Sequence, residues 1–174
     1  MPSGEQESLF LRWQSDHIGL ILKIVRAYAV SFVDQDDLLQ EVLSNLWSSI
    51  PRFQGAAKES TWIYRVALNT ALAWRRDETR RRQLHLLMIE CDVSLNATVD
   101  SSMKPSRHEL IEKMYVAIRQ LSKIDAALAL MHLDGLNYHE MSEVLGISEN
   151  YVGVKLCRIR KELFELLKDD CDEL

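Results

Sequence analysis

Residues 137–167 read NYHEMSEVLGISENYVGVKLCRIRKELFELL. A short stretch of helical pattern, NYHEMSEVL, gives way to a turn around Gly146 and then to a longer amphipathic run, ENYVGVKLCRIRKELFELL. Asn137-x-x-Glu140 opens the first helix, and Ser148 caps the second. Gly146 suits a corner where the chain needs a positive φ angle. Met141, Leu145, Val152 and Leu156 form a small shared core, and Ile147 plugs the corner. Two helices joined by a three- or four-residue turn containing glycine make a helix-turn-helix. Its second helix carries Lys155, Arg158, Arg160 and Lys161 with no acid among them. That charge can hold phosphates while the helix enters a major groove. The plainer reading of the same residues is a helical hairpin with a solvated basic face.

Working back towards the N-terminus, Ser122-x-x-Asp125 opens a helix that ends near Gly135. Ser106-x-x-Glu109 forms a capping box ahead of Leu110, Ile111, Met114, Ile118 and Leu121. Before it, CDVSLNATVDSSMKPS has little periodicity and is rich in Ser, Thr and Asn, the character of a linker. The first half is helical by the same criteria. Residues 5–32 carry apolar positions at helical spacing, with a break expected near Gly19. Asp34 is the expected N-cap of a helix through Leu38, Leu39, Val42, Leu43, Leu46 and Trp47, ended by Pro51. Ser60 or Thr61 starts another that runs to about Arg82. With 6 Gly and 3 Pro in 174 residues, helix breakers are rare enough for an all-α protein. The expected architecture is two small helical domains, 1–83 and 107–174, joined by a linker over 84–106.

The stretch from Arg52 to Arg82 holds eight basic side chains against three acidic ones, so it is a local basic surface despite a net charge of −5. Phe53, Trp62, Tyr64 and Trp74 are interleaved with the arginines. Basic groups track a phosphate backbone and aromatic faces stack on unpaired bases. Core packing is the alternative for the aromatics, and at least one must take it. Upstream lies the opposite charge, in Asp34, Asp36, Asp37 and Glu41. An acidic helix edge beside a basic helix points to one protein partner and one nucleic-acid partner, or simply to solubility.

Taken in order, DQDDLLQEVLSNLW, RFQG, STWIYRVALNTALAWRR and AIRQLSKIDAALALMHLDGLNYHEMSEVLGISENYVGVKLCRIRKEL resemble the extracytoplasmic-function sigma factors, small two-domain promoter-recognition subunits of bacterial RNA polymerase. The resemblance spans about three quarters of the chain and implies roles for its residues. The DDLLQEV helix, through Asp37, Gln40 and Glu41, would dock on the clamp coiled coil of the largest polymerase subunit. The STWIYRVALNT helix would melt and read the −10 element, with Phe53, Trp62, Arg65, Asn69, Arg75 and Arg76 as contacts. The loop from Phe53 to Ser60 would take one flipped non-template base, since a base shows its Watson–Crick edge only outside the duplex. The second domain would read the duplex −35 element through Ser148, Asn150, Tyr151, Lys155, Arg158 and Arg160. Relatives usually carry arginine or polar residues in the first turns of that helix. Here Val152, Gly153 and Val154 stand there, so Gly153 either permits close approach to DNA or marks weak readout. The resemblance also implies an anti-sigma factor that covers these faces.

Other classes find less support. There is no Walker loop, no GxSxG, no HExxH and no glycine-rich dinucleotide turn, so no enzyme or cofactor is expected. His132 and His139, or His85 and Cys91, lack the ligand count of a structural zinc site. Cys91, Cys157 and Cys171 are odd in number and widely spaced, as free thiols of a reducing cytoplasm would be. No signal peptide and no bilayer-length apolar run is present, so a cytoplasmic protein without membrane insertion is expected. The remaining rival is a stand-alone helix-turn-helix regulator, which explains residues 137–167 and leaves the first half without a role.

Overall fold

The computed structural model describes the backbone over residues 3–86 and 107–171 and side chains over residues 4–76 and 107–168. Among the described residues it is all helix and turn. The first unit comprises α1 (Ser3–Tyr28), α2 (Phe32–Ser49), a 3-10 turn (Ile50–Arg52) and α3 (Glu59–Leu86). The second comprises α4 (Arg107–Gln120), α5 (Lys123–Leu133), α6 (Tyr138–Leu145) and α7 (Glu149–Cys171). The first unit closes on Trp13, Ile21 and Ile24 of α1, Leu38, Val42 and Leu46 of α2, and Ile63, Tyr64, Ala67 and Leu68 of α3. The second closes around α5, buried without interruption from Asp125 to Met131, against Tyr115 and Ile118 of α4 and Val152, Leu156 and Ile159 of α7.

Several local expectations change. α1 runs unbroken through Gly19, because buried Trp13 on one side and Ile21 and Ile24 on the other hold both turns in one packed helix. The N-cap of α2 is Ser31, not Asp34: Ser31 is extended, and its hydroxyl accepts from the Asp34 amide at 3.1 Å. α3 starts at Glu59 and extends to Leu86, beyond both Arg82 and the expected domain end at 83. Pro51 lies inside the 3-10 turn that follows α2. The capping box at Ser106 and the linker from residue 87 onward lie outside the described residues.

The second unit follows the local chemistry closely. The Ser122 hydroxyl accepts from the Asp125 amide at 3.2 Å and donates to its carboxylate at 2.7 Å. At α6, the Asn137 side chain takes the Glu140 amide and the Glu140 carboxylate takes the Asn137 amide, each at 2.9 Å, a reciprocal cap. Gly146 ends α6 at φ +67°, the left-handed conformation that lets the chain turn sharply into α7.

The two units are in contact. α6 lies on α3, and α4 and α5 lie on α1.

Candidate nucleic-acid interface

α3 presents a mixed aromatic and basic stripe. At 100° per residue, Trp62, Arg65, Asn69 and Arg76 fall on one side of the helix. Trp62 is held from behind. Its indole N–H donates to the Ser49 hydroxyl at 3.1 Å, and Ser49 donates in turn to the Leu46 carbonyl at 2.8 Å. The Arg65 guanidinium lies 4.8 Å above the Trp62 ring, a distance at which the ring quadrupole attracts a cation. Phe53 packs edge-on against Trp13 at 5.1 Å and tilted against Trp62 at 5.6 Å. The loop between Phe53 and α3 turns at Gly55, φ +72°. Half-buried Phe53 is thus both a wall of the core and a floor under the loop.

Asn69 is exposed, while its neighbour Thr70 is buried and accepts from Asn45 of α2 at 3.1 Å. This cross-helix bond fixes the rotation of α3 and leaves the Asn69 amide facing solvent. Arg75 does not join the stripe. Thirteen positions from Trp62, it is on the far side of α3, where it donates to the Arg119 carbonyl at 3.3 Å and lies 6.0 Å from the Tyr28 ring centre.

α2 shows a second exposed face. Val33, Asp36, Asp37, Gln40 and Glu41 follow i, i+3, i+4, i+7, i+8 spacing and are all exposed. Its leading corner is apolar: Val30, Phe32 and Val33 are 65%, 87% and 71% exposed. Sequence reading missed this corner. The available signal was a pair of large apolar residues at the start of α2, off the stripe through Leu38, Val42 and Leu46.

On α7, the side chains of Tyr151, Val154, Arg158 and Lys161 share an exposed side, with Asn150 at its flank and Ser148 below, capping α7 through the Tyr151 amide at 3.3 Å. Lys155 and Arg160 are engaged elsewhere. The Lys155 ammonium donates to Asp125 Oδ2 at 3.1 Å and lies 3.0 Å from Oδ1; this bond raises the pKa of the ammonium. Arg160 is on the opposite side of α7, 3.0 Å from His132 Nε2. Gly153 also faces inward: a methyl group there would meet the Tyr138 ring of α6 at 3.5 Å. The close neighbour of this glycine is Tyr138.

A helix-turn-helix with one exposed basic side, set beside a second unit with an aromatic and basic stripe, is matched by two family models. Sigma-70 region 2 matches residues 14–81, and Sigma-70, region 4 matches residues 111–163. The chain is 28% identical over 162 residues to the ECF RNA polymerase sigma-E factor of Haemophilus influenzae, covering 88% of this chain and 82% of that one. This chain belongs to the extracytoplasmic-function sigma factors. Another relative, the RNA polymerase sigma-H factor of Pseudomonas aeruginosa, is 25% identical over 167 residues, covering 92% and 84%. Two solved structures share the fold at 18% identity. One is the sigma factor RpoE in complex with the anti-sigma factor NepR from Bartonella quintana, with a TM-score of 0.70 over 91% of this chain and 96% of that one. The other is CnrH in complex with the cytosolic domain of CnrY, with a TM-score of 0.65 over 94% and 90%.

The first unit of this sigma factor is therefore region 2 and the second region 4. Among the described residues, no cluster of His, Cys, Asp and Glu could hold a metal ion, and no helix is long and apolar enough to cross a membrane.

Proposed function

We propose that this sigma factor directs RNA polymerase to a particular promoter set by dividing the work between its units. Region 2, within residues 1–83, docks on the polymerase clamp coiled coil and melts and reads the −10 element. Region 4, within 107–174, reads the −35 duplex, and the segment that follows α3 links them. The observation that carries this reading is the side of α3 where Trp62, Arg65, Asn69 and Arg76 stand together over the Phe53 loop. Aromatic faces and cations suit an unpaired strand, and an exposed carboxamide can both donate to and accept from a flipped base. The face of α2 divides its labour too. Asp37, Gln40 and Glu41 steer a basic partner, and the apolar corner at Phe32 and Val33 supplies area to desolvate. The similar sigma factor solved with the anti-sigma factor NepR, and the similar CnrH solved with the cytosolic domain of CnrY, support an anti-sigma partner here that covers the same faces. No catalytic residue is required: the factor positions DNA in the cytoplasm for a polymerase that carries the chemistry.

The test is reconstitution with core polymerase. Asp37→Lys with Glu41→Lys should weaken core binding at least tenfold in a titration while leaving the helical circular dichroism unchanged, since both side chains are exposed. The unsubstituted holoenzyme should open a cognate promoter, read by permanganate reactivity of unpaired thymines. Unchanged core affinity, or tight sequence-specific duplex binding by the free chain, would favour the stand-alone regulator.

A further inference from the structure

The outermost line of α7 is short and nearly uncharged. Opposite buried Val152, Leu156 and Ile159 and half-buried Leu163 run Asn150, Val154, Cys157 and Lys161, at i, i+4, i+7, i+11 spacing and all exposed. Only the last of these four carries a charge. A single exposed valine is ordinary on a protein surface, but Val154, 55% exposed, does not stand alone. Tyr151 is three positions before it and Arg158 four positions after, so the three side chains form one patch on the helix surface. Tyr151 is steadied by Lys155, whose ammonium lies 5.8 Å from its ring centre while bound to Asp125. The acid of the first turn, Glu149, is turned off this side, 3.1 Å from His139 Nδ1 of α6.

An apolar patch cleared of acid and edged by Arg158 and Lys161 asks for a surface that is anionic at its rims and apolar at its centre. The major groove of DNA is such a surface. Its rims are phosphates, and its floor carries one apolar group, the C5 methyl of thymine. The groove is ~12 Å wide and a helix with its side chains ~10–12 Å across, so the outermost line of the helix meets the floor and its flanks meet the rims. Short side chains at Val154 and Cys157 let α7 come close to the base edges. Asn150 lies one turn before Val154, ~6 Å along the axis, which is less than two base-pair rises of ~3.4 Å. Its carboxamide matches the donor and acceptor that adenine shows in the groove.

We infer that α7 reads an A·T-containing −35 element by apolar contact, with Val154 against the C5 methyl of a thymine and Asn150 on an adenine within two base pairs of it. This rests on the assignment of region 4 to the −35 duplex made above, and it adds which bases are read. The contact is small. One methyl group buried against a valine changes affinity about fourfold, so α7 distinguishes one or two base pairs and leaves the rest of its grip to Arg158 and Lys161.

The test uses holoenzyme reconstituted with core RNA polymerase. It first selects its preferred −35 sequence from promoter fragments randomised over that window. Uracil then replaces thymine on either strand, one position at a time, which removes the methyl group and nothing else. One such replacement should weaken binding about 3- to 5-fold. Val154→Ser should lose about as much on the thymine fragment and nothing further on the uracil fragment. Asn150→Ala should lose the preference for adenine at a neighbouring pair. Core affinity without DNA and helicity should match the parent in both variants, because both side chains are exposed. Alkylation of exposed Cys157 by iodoacetamide, read by peptide mass, should slow when the holoenzyme binds the fragment. A selected element without thymine, indifference to uracil at every position, equal losses for Val154→Ser on thymine and uracil fragments, or unslowed alkylation of Cys157 would overturn the inference. A loss of core affinity in Val154→Ser would overturn it as well and assign the patch to a protein partner. If selection returned no −35 preference at all, the promoter reading of region 4 would fall and this inference with it.

Discussion

The two helices assigned to DNA differ in how much of their chemistry is already committed. α3 keeps its reading side together: Trp62 is anchored to Ser49, Arg65 lies over Trp62, and Asn69 is turned outward by the Asn45–Thr70 bond behind it. α7 spends its cations on its own scaffold. Lys155 is tied to Asp125 and Arg160 faces His132, so Arg158 and Lys161 are left beside Tyr151 and Val154. The lesson is that a helix-turn-helix with four cations between residues 155 and 161 of its second helix need not offer four phosphate contacts. On the function proposed above, discrimination would rest on α3, and α7 would supply a thinner, mainly electrostatic grip.

The comparison breaks most visibly at Phe53 and Asn69. Phe53→Ala removes a ring wedged between Trp13 and Trp62. For a half-buried site this should cost region 2 about 2–3 kcal/mol by denaturant unfolding, towards the lower end for a deleted aromatic. It should also impair opening at every promoter, because the Trp62 platform shifts. Asn69→Ala deletes an exposed side chain and should leave stability unchanged. Its effect on opening should depend on one base of the −10 element, with a loss of about 1–3 kcal/mol for the preferred base only. Permanganate footprinting on a base-substituted promoter series separates the two. A base-independent loss for Asn69→Ala would move the pocket away from this stripe.

On α7 the sharper contrast is between neighbouring cations. Lys155→Met leaves the Asp125 carboxylate, 9% exposed, without its cation. Region 4 should lose about 1–2 kcal/mol of stability, with little change in the salt dependence of duplex binding. Arg158→Ala should do the reverse: stability unchanged, and the slope of log affinity against log salt for −35 duplex reduced by about one unit. Holoenzyme on duplex fragments at graded salt measures both. If Lys155→Met lowers the slope as much as Arg158→Ala does, Lys155 leaves Asp125 when DNA arrives.

Sequence carried the elements well where the signal was local. The Ser122 and Asn137 caps, the left-handed Gly146 and the all-helical plan follow from residues within one turn of each other. The family was legible because four motifs keep their order over most of the chain. Partners supplied by another element were not legible. Nothing near Lys155 in sequence announces Asp125, thirty positions earlier, and nothing near Arg75 announces the Arg119 carbonyl. Part of this was recoverable: helical geometry alone places Arg75 opposite Trp62, and Arg160 nearly opposite Arg158. The seam between the units was hidden for another reason. It is built from Lys, Arg, Asp and Glu, as in Lys23 with Asp134 and Arg26 with Glu112, and these residues read as ordinary solvated surface until the fold brings opposite signs together.

The smallest expected effect is at the start of α7. Gly153 stands in the first turns of α7, and a glycine inside a helix costs up to about 1 kcal/mol relative to alanine. A glycine serving DNA approach would have to face the groove. Two positions beyond Tyr151, Gly153 is instead turned towards α6, and an added methyl would rest 3.5 Å from the Tyr138 ring, ordinary van der Waals contact. The backbone there is helical, so alanine brings no strain. Gly153→Ala should therefore stabilise region 4 by about 0.5–1 kcal/mol in thermal or denaturant unfolding and leave −35 affinity of the holoenzyme unchanged. If stability rises while duplex affinity falls, the glycine lets α7 flex against Tyr138 on DNA, and the difference between the two reading helices lies in mobility as well as in committed charge.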